Sequence, residues 1–378
     1  METKKVKNIL LRLKLKGYGI VNYDGGDQKW VFNSTELNTM KTIHNNVTYA
    51  KKNFYKNSEG ETDYKIKISS DCLKHSIFEK EIPFQSPNIS HEKHILYSFI
   101  GSPAYILRGG FFEFGKGSSA FKRKAPFALN DAQQTCGAMS TLETFARSGK
   151  KKTDNSIDDK ADNTFFKKET VGDIEYFAEG NLDLEQLQFV STDIIFDRNA
   201  FNADDFDLFS FFLKTRIKDF NSKLGWYGMT NSVNQIPEYG FKFSNDNILS
   251  LVKHLFQSIL ELNIKRKGAS AETFEFEYKL VYIPTEDTKY SEDGWVSVKS
   301  INDINSINFQ SEDFYIEKDE TTAKELRMAI TENEKNAAQN SADIKQKVKD
   351  DIQSKKDKKD KKEVKEEKST LTSEPSLN

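Results

Sequence analysis

Val6-Lys7-Asn8-Ile9-Leu10-Leu11-Arg12-Leu13-Lys14-Leu15-Lys16 alternates aliphatic and basic residues from Leu11 onward. Successive side chains of an extended chain point to opposite faces, so this alternation predicts a strand with one face in a core and the other in solvent. Gly17 and Gly19 then end or bend it. A second alternation, Tyr64-Lys65-Ile66-Lys67-Ile68, leads into Ser69-Ser70-Asp71, small polar residues suited to capping a short helix over Cys72 to Lys80.

Further along, Ile248, Leu249, Leu251, Val252, Leu255, Phe256, Ile259, Leu260 and Leu262 recur at helical spacing behind Ser244 or Asn245. Strand-like segments flank this helix: Tyr239 to Phe243 before it and Phe274 to Ile283 after it. Asp173 to Phe177 reads as another strand, with Leu184 to Val190 following, and the phenylalanine-rich Asp205 to Phe220 as a further helix. Strands and helices mix without regular alternation, so the expected fold class is α+β around an antiparallel sheet. Segments near 22–62 and 101–170 read as insertions in a body spanning 1–330.

The 378 residues include 37% hydrophobic and 30% charged side chains, enough for a sizeable core plus a solvated segment. That segment is 331–378, which has no aromatic residue and carries 12 Lys against 11 Asp or Glu. It cannot bury enough surface to offset its ordering entropy and is expected to be a disordered charged tail. Cys72 and Cys136 form no CxxC pair, so neither a disulfide framework nor a structural zinc site is suggested, and a reducing, cytoplasmic setting fits best. The N-terminus is basic but broken by lysines, so no signal-peptide core is expected. Nor does any window approach a membrane span of roughly 18 apolar residues.

The net charge of -2 conceals an internal division. Residues 101–152 hold nine Lys or Arg against three acids, a local excess of +6, in a body otherwise near -9. Such a patch is the electrostatic footprint expected for a phosphate backbone. Within it, Gly101 to Ser119 is a glycine-aromatic-basic run that contains Arg108 and Lys116 and leads to Phe121-Lys122-Arg123-Lys124. Glycine permits close backbone approach, cations neutralise phosphate and aromatic faces stack on unpaired bases. The alternative is a hairpin whose phenylalanines enter the core. The run lacks the GxxxxGK[ST] spacing of a mononucleotide loop.

Cys72 and His75 lie three apart on the predicted helix, but no second pair completes a metal site. His44, His91, His94 and His254 have no nucleophile or carboxylate at motif spacing, so no triad is named. Asp24 and Asp27 bracket Gly25-Gly26, a loop that could hold a divalent ion, although Asp-Gly turn chemistry explains it equally. No cofactor is expected.

Several blocks in succession resemble the backbone subunit of the type I-F variant CRISPR surveillance complex, one of the "Cas seven" group of RAMP proteins. They are Leu15-Lys16-Gly17-Tyr18-Gly19-Ile20-Val21-Asn22, the block from Ile68 through Cys72-Leu73-Lys74-His75 to Phe78, and Thr164 to Tyr176. The last continues into Leu184 to Ser191 and Phe196-Asp197-Arg198. The resemblance implies an RRM-like (ferredoxin-like) core with inserted lobes that stacks head to tail along a guide RNA held by its sugar-phosphate backbone. Implied partners are that CRISPR RNA, target DNA or RNA paired with it, further copies of the chain and other complex subunits, without a membrane. Lys74 and His75 correspond to the family's basic pair near RNA, and Arg108, Lys122 and Arg123 to its Arg-Gly and Lys-Arg positions. Lys116, Phe121 and Lys124 complete the expected RNA contacts. The chain is thus expected to be a non-enzymatic scaffold, the alternatives being a RAMP relative that cuts target RNA through Asp24 or Asp27, or an isolated single-strand binder. Asp24 replaces a more usual uncharged residue, and the charged tail beyond about Lys318 has no counterpart in the family.

Overall fold

A computed structural model describes residues 5–24, 47–81, 93–112, 121–137, 140–153, 156–193, 199–229, 236–266, 268–282, 294–304 and 315–329, with Glu332 and Gln339. The opening alternation forms β1 (Val6–Tyr18), in which Ile9, Leu11, Leu13 and Leu15 are fully buried. Two long strands flank it in antiparallel register, β12 (Asp173–Asp183) and β17 (Ala269–Tyr282). The sheet continues past β12 through β9 (Ala132–Gly137), β5 (Thr62–Ile68) and β4 (Lys52–Lys56), and past β17 to β16 (Asn263–Arg266). With β8 (Phe127–Leu129) on β12 and β18 (Val296–Ser297) on β17, it has nine strands. β1 runs through Gly17 and ends at Tyr18, before Gly19. A Cβ at Gly17 would come 2.4 Å from the Ser270 carbonyl of β17, and Gly19 takes φ +70°, so the first permits close strand approach and the second turns the chain away.

The apolar face of the sheet is covered by helices, among them α6 (Asn245–Leu260), whose first turn is capped by Ser244 Oγ accepting from Asn247 N at 3.3 Å. Ile248, Leu251, Val252, Leu255, Phe256 and Ile259 are all buried on it, with the Phe256 ring edge-on to Phe276 at 4.9 Å. Each fully buried side chain of this size contributes about 2 kcal/mol, so this stripe and that of β1 form the main core. Around them lie α1 (Ser70–Ile77), α2 (Lys93–Ile100), α3 (Pro103–Arg108) and α4 (Leu184–Gln188).

A second antiparallel sheet runs β13 (Phe189–Ser191), β15 (Glu238–Lys242), β14 (Gly225–Met229), β19 (Tyr315–Glu317). Its neighbour α5 (Phe206–Lys214) belongs to a phenylalanine cluster, with Phe201 and Phe209 stacked at 4.1 Å and both within 6 Å of Phe241. The helix expected over 205–220 is shorter because Arg216 N–H bonds back to the Leu213 carbonyl and the Thr215 hydroxyl to that of Phe212, while Asp219 takes φ 55°. A third sheet consists of the long hairpin β10 (Ser140–Thr153) and β11 (Ser156–Val171), with β3 (Val47–Ala50) and β2 (Tyr23–Asp24) at its root. A two-stranded ribbon, β6 (Gly110–Phe112) with β7 (Phe121–Arg123), completes the set. The fold is α+β with antiparallel sheets. The segment near 101–170, expected as an insertion, begins inside the core instead, since Ala104, Tyr105, Ile106 and Leu107 are all fully buried.

The last described segment is anchored. β19 pairs with β14, and the helix that follows over 320–329 places Arg327 against Asp193, with a 2.6 Å hydrogen bond from Nη2 to Oδ1 and the guanidinium over Trp226. Asp193 is buried, so Arg327→Ala should leave an uncompensated carboxylate and cost about 3 to 5 kcal/mol. Deleting 331–378, which lie outside the described residues apart from the two named above, should leave thermal unfolding nearly unchanged. Urea and thermal melts of the two variants check both statements.

Candidate nucleic-acid interface

Helix α1 is held by neighbours rather than by its own cap. Ser69 precedes it in extended conformation with no side-chain cap bond, and its hydroxyl instead accepts from Asn22 Nδ2 at 2.9 Å. The free Ser70 N–H is taken by Asp131 Oδ1 at 2.9 Å, while Asp131 Oδ2 accepts from Lys67 Nζ at 2.8 Å. Partial burial pushes the Asp131 carboxyl up, yet Lys67 and the Ser70 amide outweigh it and hold it below the ordinary value. With Leu73 and Ile77 in the core, Lys74 and His75 lie half-buried on the helix's outer side.

α3 arrives beside it. Ser102 caps it by accepting from Tyr105 N, Pro103 occupies its first turn, and Arg108 is its last residue. Gly109 must be glycine: it takes φ +68°, and a Cβ there would lie 2.4 Å from the Arg123 carbonyl. Burial, then the positive charge of Arg108, lowers the His75 pKa; Glu79 opposes them, and Arg266 adds a smaller lowering. At Cys72, burial raises the thiol pKa while the charges of Arg266 and Lys51 act against it. Lys51, Arg108 and Arg266 thus come from three places in the chain to the Cys72 and His75 side of α1, with Glu79 as the nearby acid. Lys74 is partly engaged by Asp71 at 3.5 Å.

Sequence reasoning found Lys74, His75 and Arg108 but missed Lys51 and Arg266. Their signals were present: Lys51-Lys52 stands where β3 gives way to β4, and Lys265-Arg266 closes β16. Only the sheet brings them to α1.

Two expected contacts are corrected. Arg123 is buried, and its guanidinium donates to the carbonyls of Phe189 at 2.5 Å, Gln186 at 2.7 Å, and Leu187 and Ile106 at 3.4 Å. Two of these are the last free carbonyls of α4, so Arg123 acts as a cap from outside that helix. Burial lowers its pKa to about 10. Phe121, 8% exposed, packs its ring 6.3 Å from Tyr97. Alternation along β7 leaves Lys122 on the opposite face, half-buried, and Lys124 exposed beyond it. Lys116 and Asp27 lie outside the described residues, as do Phe196, Asp197 and Arg198. Asp24 sits in β2, its backbone paired with Tyr49.

Residues 5–278 match the family model described as Type I-Fv CRISPR-associated protein Cas7fv-like. The chain belongs to that family. The match runs from the start of β1 into β17 and so takes in every residue of the basic cluster. Among solved structures, the chain is similar to one titled "CRISPR RNA-guided surveillance complex", at 10% identity and TM-score 0.32 over 75% of this chain and 71% of that one. A second, titled "CRISPR RNA-guided surveillance complex, pre-nicking", is matched at 9% identity and TM-score 0.32 over 74% and 77%. No curated protein matches the chain. No helix among the described residues is long and apolar enough to cross a membrane.

The two sides of β7 should separate in a denaturation experiment. Arg123→Ala removes the donors to four buried carbonyls and should cost about 3 kcal/mol in urea unfolding. Lys122→Ala and Lys124→Ala should each change stability by less than about 0.5 kcal/mol.

Proposed function

We propose that the chain is an RNA-binding backbone subunit of a CRISPR surveillance complex, which holds a guide RNA by its phosphates and repeats along it. The observation that carries this is the approach of Lys51, Arg108 and Arg266 to the Cys72 and His75 side of α1, a helix that also carries Lys74, in a chain of net charge -2. A local cation cluster on a mildly acidic body attracts a polyanion to one place and leaves the remainder free for protein contacts. Contacts of this type carry no base readout, so specificity falls to pairing between guide and target.

The strand order β17-β1-β12-β9 supports an RRM-like core. It is that of two interleaved strand-helix-strand units with the first strand at the centre, here β1, and α6 on the crossover to the last. The open face of this sheet differs from one that stacks bases. Arg12 pairs with Glu179 at 3.1 Å, Lys14 with Glu275 at 2.8 Å and Lys16 with Glu272 at 3.4 Å, and Trp295 covers the Arg12 guanidinium at 4.0 Å. The cations of that face are neutralised by their own neighbours, which favours the α1 side as the phosphate path. The β10–β11 hairpin brings Lys150, Lys151 and Lys152 to its turn end and gives the subunit a long reach.

The chain is read as a scaffold, not a nuclease. Asp24 is held in strand pairing, and the Asp-Gly dipeptide it begins is explained by turn chemistry. The partners are the guide RNA, target nucleic acid through that guide, further copies and other subunits.

Arg108→Ala with Arg266→Ala should weaken RNA binding and reduce the salt slope of log K by roughly one to two, with the melting temperature held. Unchanged affinity and slope would remove this site. RNA phosphate should also raise the depressed His75 pKa, visible by NMR titration. In the free protein the sign is opposite: an imidazole with a lowered folded pKa protonates first in the unfolded chain, so stability falls on acidification through the ordinary histidine range. The assembled complex should leave complementary RNA intact in magnesium or manganese. Regularly spaced cuts that vanish with Asp24→Ala or Asp27→Ala would replace the scaffold reading with the nuclease one.

A further inference from the structure

Lys51 and Lys52 are neighbours in sequence with different surroundings. Lys52 is spent inside the body: its ammonium lies 2.8 Å from Glu169 Oε1, the two side chains being 6% and 4% exposed, and rests 4.1 Å over the Tyr64 ring. Lys51 stands in the link between β3 and β4, half-buried, and its charge acts on Cys72 of α1 and on Asp131, which holds the Ser70 amide. Glu169 grips the chain on both sides of it. Oε2 accepts from the Ala50 amide at 3.0 Å while Oε1 holds Lys52, so one buried carboxylate fixes the residues before and after Lys51. The peptide groups of Lys51 are held in turn, its N–H donating to the Asn22 carbonyl at 3.1 Å and its carbonyl accepting from Lys67 N at 2.9 Å. Asn22 Nδ2 donates to Ser69 Oγ, on the residue that precedes α1.

A lysine side chain is a point charge on a flexible stem, so what it offers a phosphate depends on where its backbone is held. We propose that Glu169 is a positioning residue for RNA: buried itself, it sets the backbone at Lys51 so that this ammonium is delivered to the side of α1 along which phosphates pass. The role rests on the function proposed above and names a residue on which that site depends. Charge alone has the opposite consequence. An acid near a phosphate path repels RNA, and its removal also releases the Lys52 cation, so electrostatics without positioning has Glu169→Gln bind RNA more tightly. Positioning has it bind less tightly, because a placed cation is lost.

The sign of the change decides between them. On a single-stranded RNA short enough to seat one copy, Glu169→Gln should lower affinity about three- to tenfold and reduce the salt slope of log K by about 0.7, the value of one phosphate contact on a single strand. Lys51→Ala should do the same, and Glu169→Gln added to Lys51→Ala should lower affinity no further. Lys52→Met with Glu169→Gln leaves the net charge unaltered and buries no unpaired ion, and its affinity should fall equally. Circular dichroism and melting report folding; where Glu169→Gln alone does not fold, this paired variant decides. The placement of Lys51 is also read without RNA, at Cys72 in a Cys136→Ser background, from the pH dependence of thiol alkylation. The Lys51 charge opposes the burial that raises the Cys72 thiol, so Glu169→Gln should raise that pKa further, whereas loss of an acid would by itself lower it. The proposal is overturned if Glu169→Gln and the paired variant bind RNA as tightly as the parent chain or more so, or if the Cys72 pKa stays or falls. It is also overturned if Glu169→Gln lowers affinity as much beside Lys51→Ala as in the parent, which is general damage to the fold. If the parent chain binds no RNA, the function proposed above fails, while the Cys72 titration still decides whether Glu169 places Lys51.

Discussion

Burial of the Ile9, Leu11, Leu13 and Leu15 stripe in the core it shares with α6 is the constraint on which the remaining structure depends. It fixes β1 at the centre of the sheet, with β12 and β17 in register on either side over almost its full length. A slip of one residue would turn four aliphatic side chains into water and bring Arg12, Lys14 and Lys16 into the core. That register in turn decides which carboxylates meet the basic face. Glu179, Glu272 and Glu275 stand where they do because β12 and β17 cannot slide. The position of Arg266 is fixed by the same pairing, since β16 hangs on β17 through Asn263 to Arg266.

Polar groups inside the body act as joints between elements. Arg123 binds α3, α4 and the start of β13 through four carbonyls. Glu169, with Lys52 on one oxygen at 2.8 Å and the Ala50 amide on the other at 3.0 Å, joins the end of β11 to the link between β3 and β4. Arg327 on Asp193 does the same for the chain's last described helix. Such pairs add little net stability compared with apolar residues of similar volume, but they accept only one geometry. They therefore specify how lobes attach, whereas the aliphatic stripes specify that the body folds at all.

The body's central elements were legible because periodicity is a local property. The β1 alternation, the α6 stripe and the 274–283 strand each declare a buried face within ten or so residues. Basic residues at 122–124 read together as surface, and there the structure differs. In a strand, Phe121 and Arg123 share a face, so the inward Phe was the available signal that Arg123 would follow it. The buried α3 was hidden by glycines on both sides, which made Gly101 to Gly110 look like a loop. The site was half legible: Lys74, His75 and Arg108 carry family character, but Lys51 and Arg266 reach α1 only through sheet pairing that spans hundreds of residues.

The β10–β11 hairpin, with 14 and 16 residues in its strands, is a lever about 45 Å long at ordinary strand rise. Its described attachment to other strands is the two-residue pairing of Lys167 and Lys168 with β3, backed by the Glu169 joint and continued into β12 through Gly172. Leverage magnifies whatever happens at that fulcrum: a rotation of about 10° there carries the far end through roughly 8 Å, more than the spacing between neighbouring strands. Accuracy at the tip is therefore set by a few atoms at the root, and a substitution beside Ala50 or Lys52 acts on a surface tens of ångströms away.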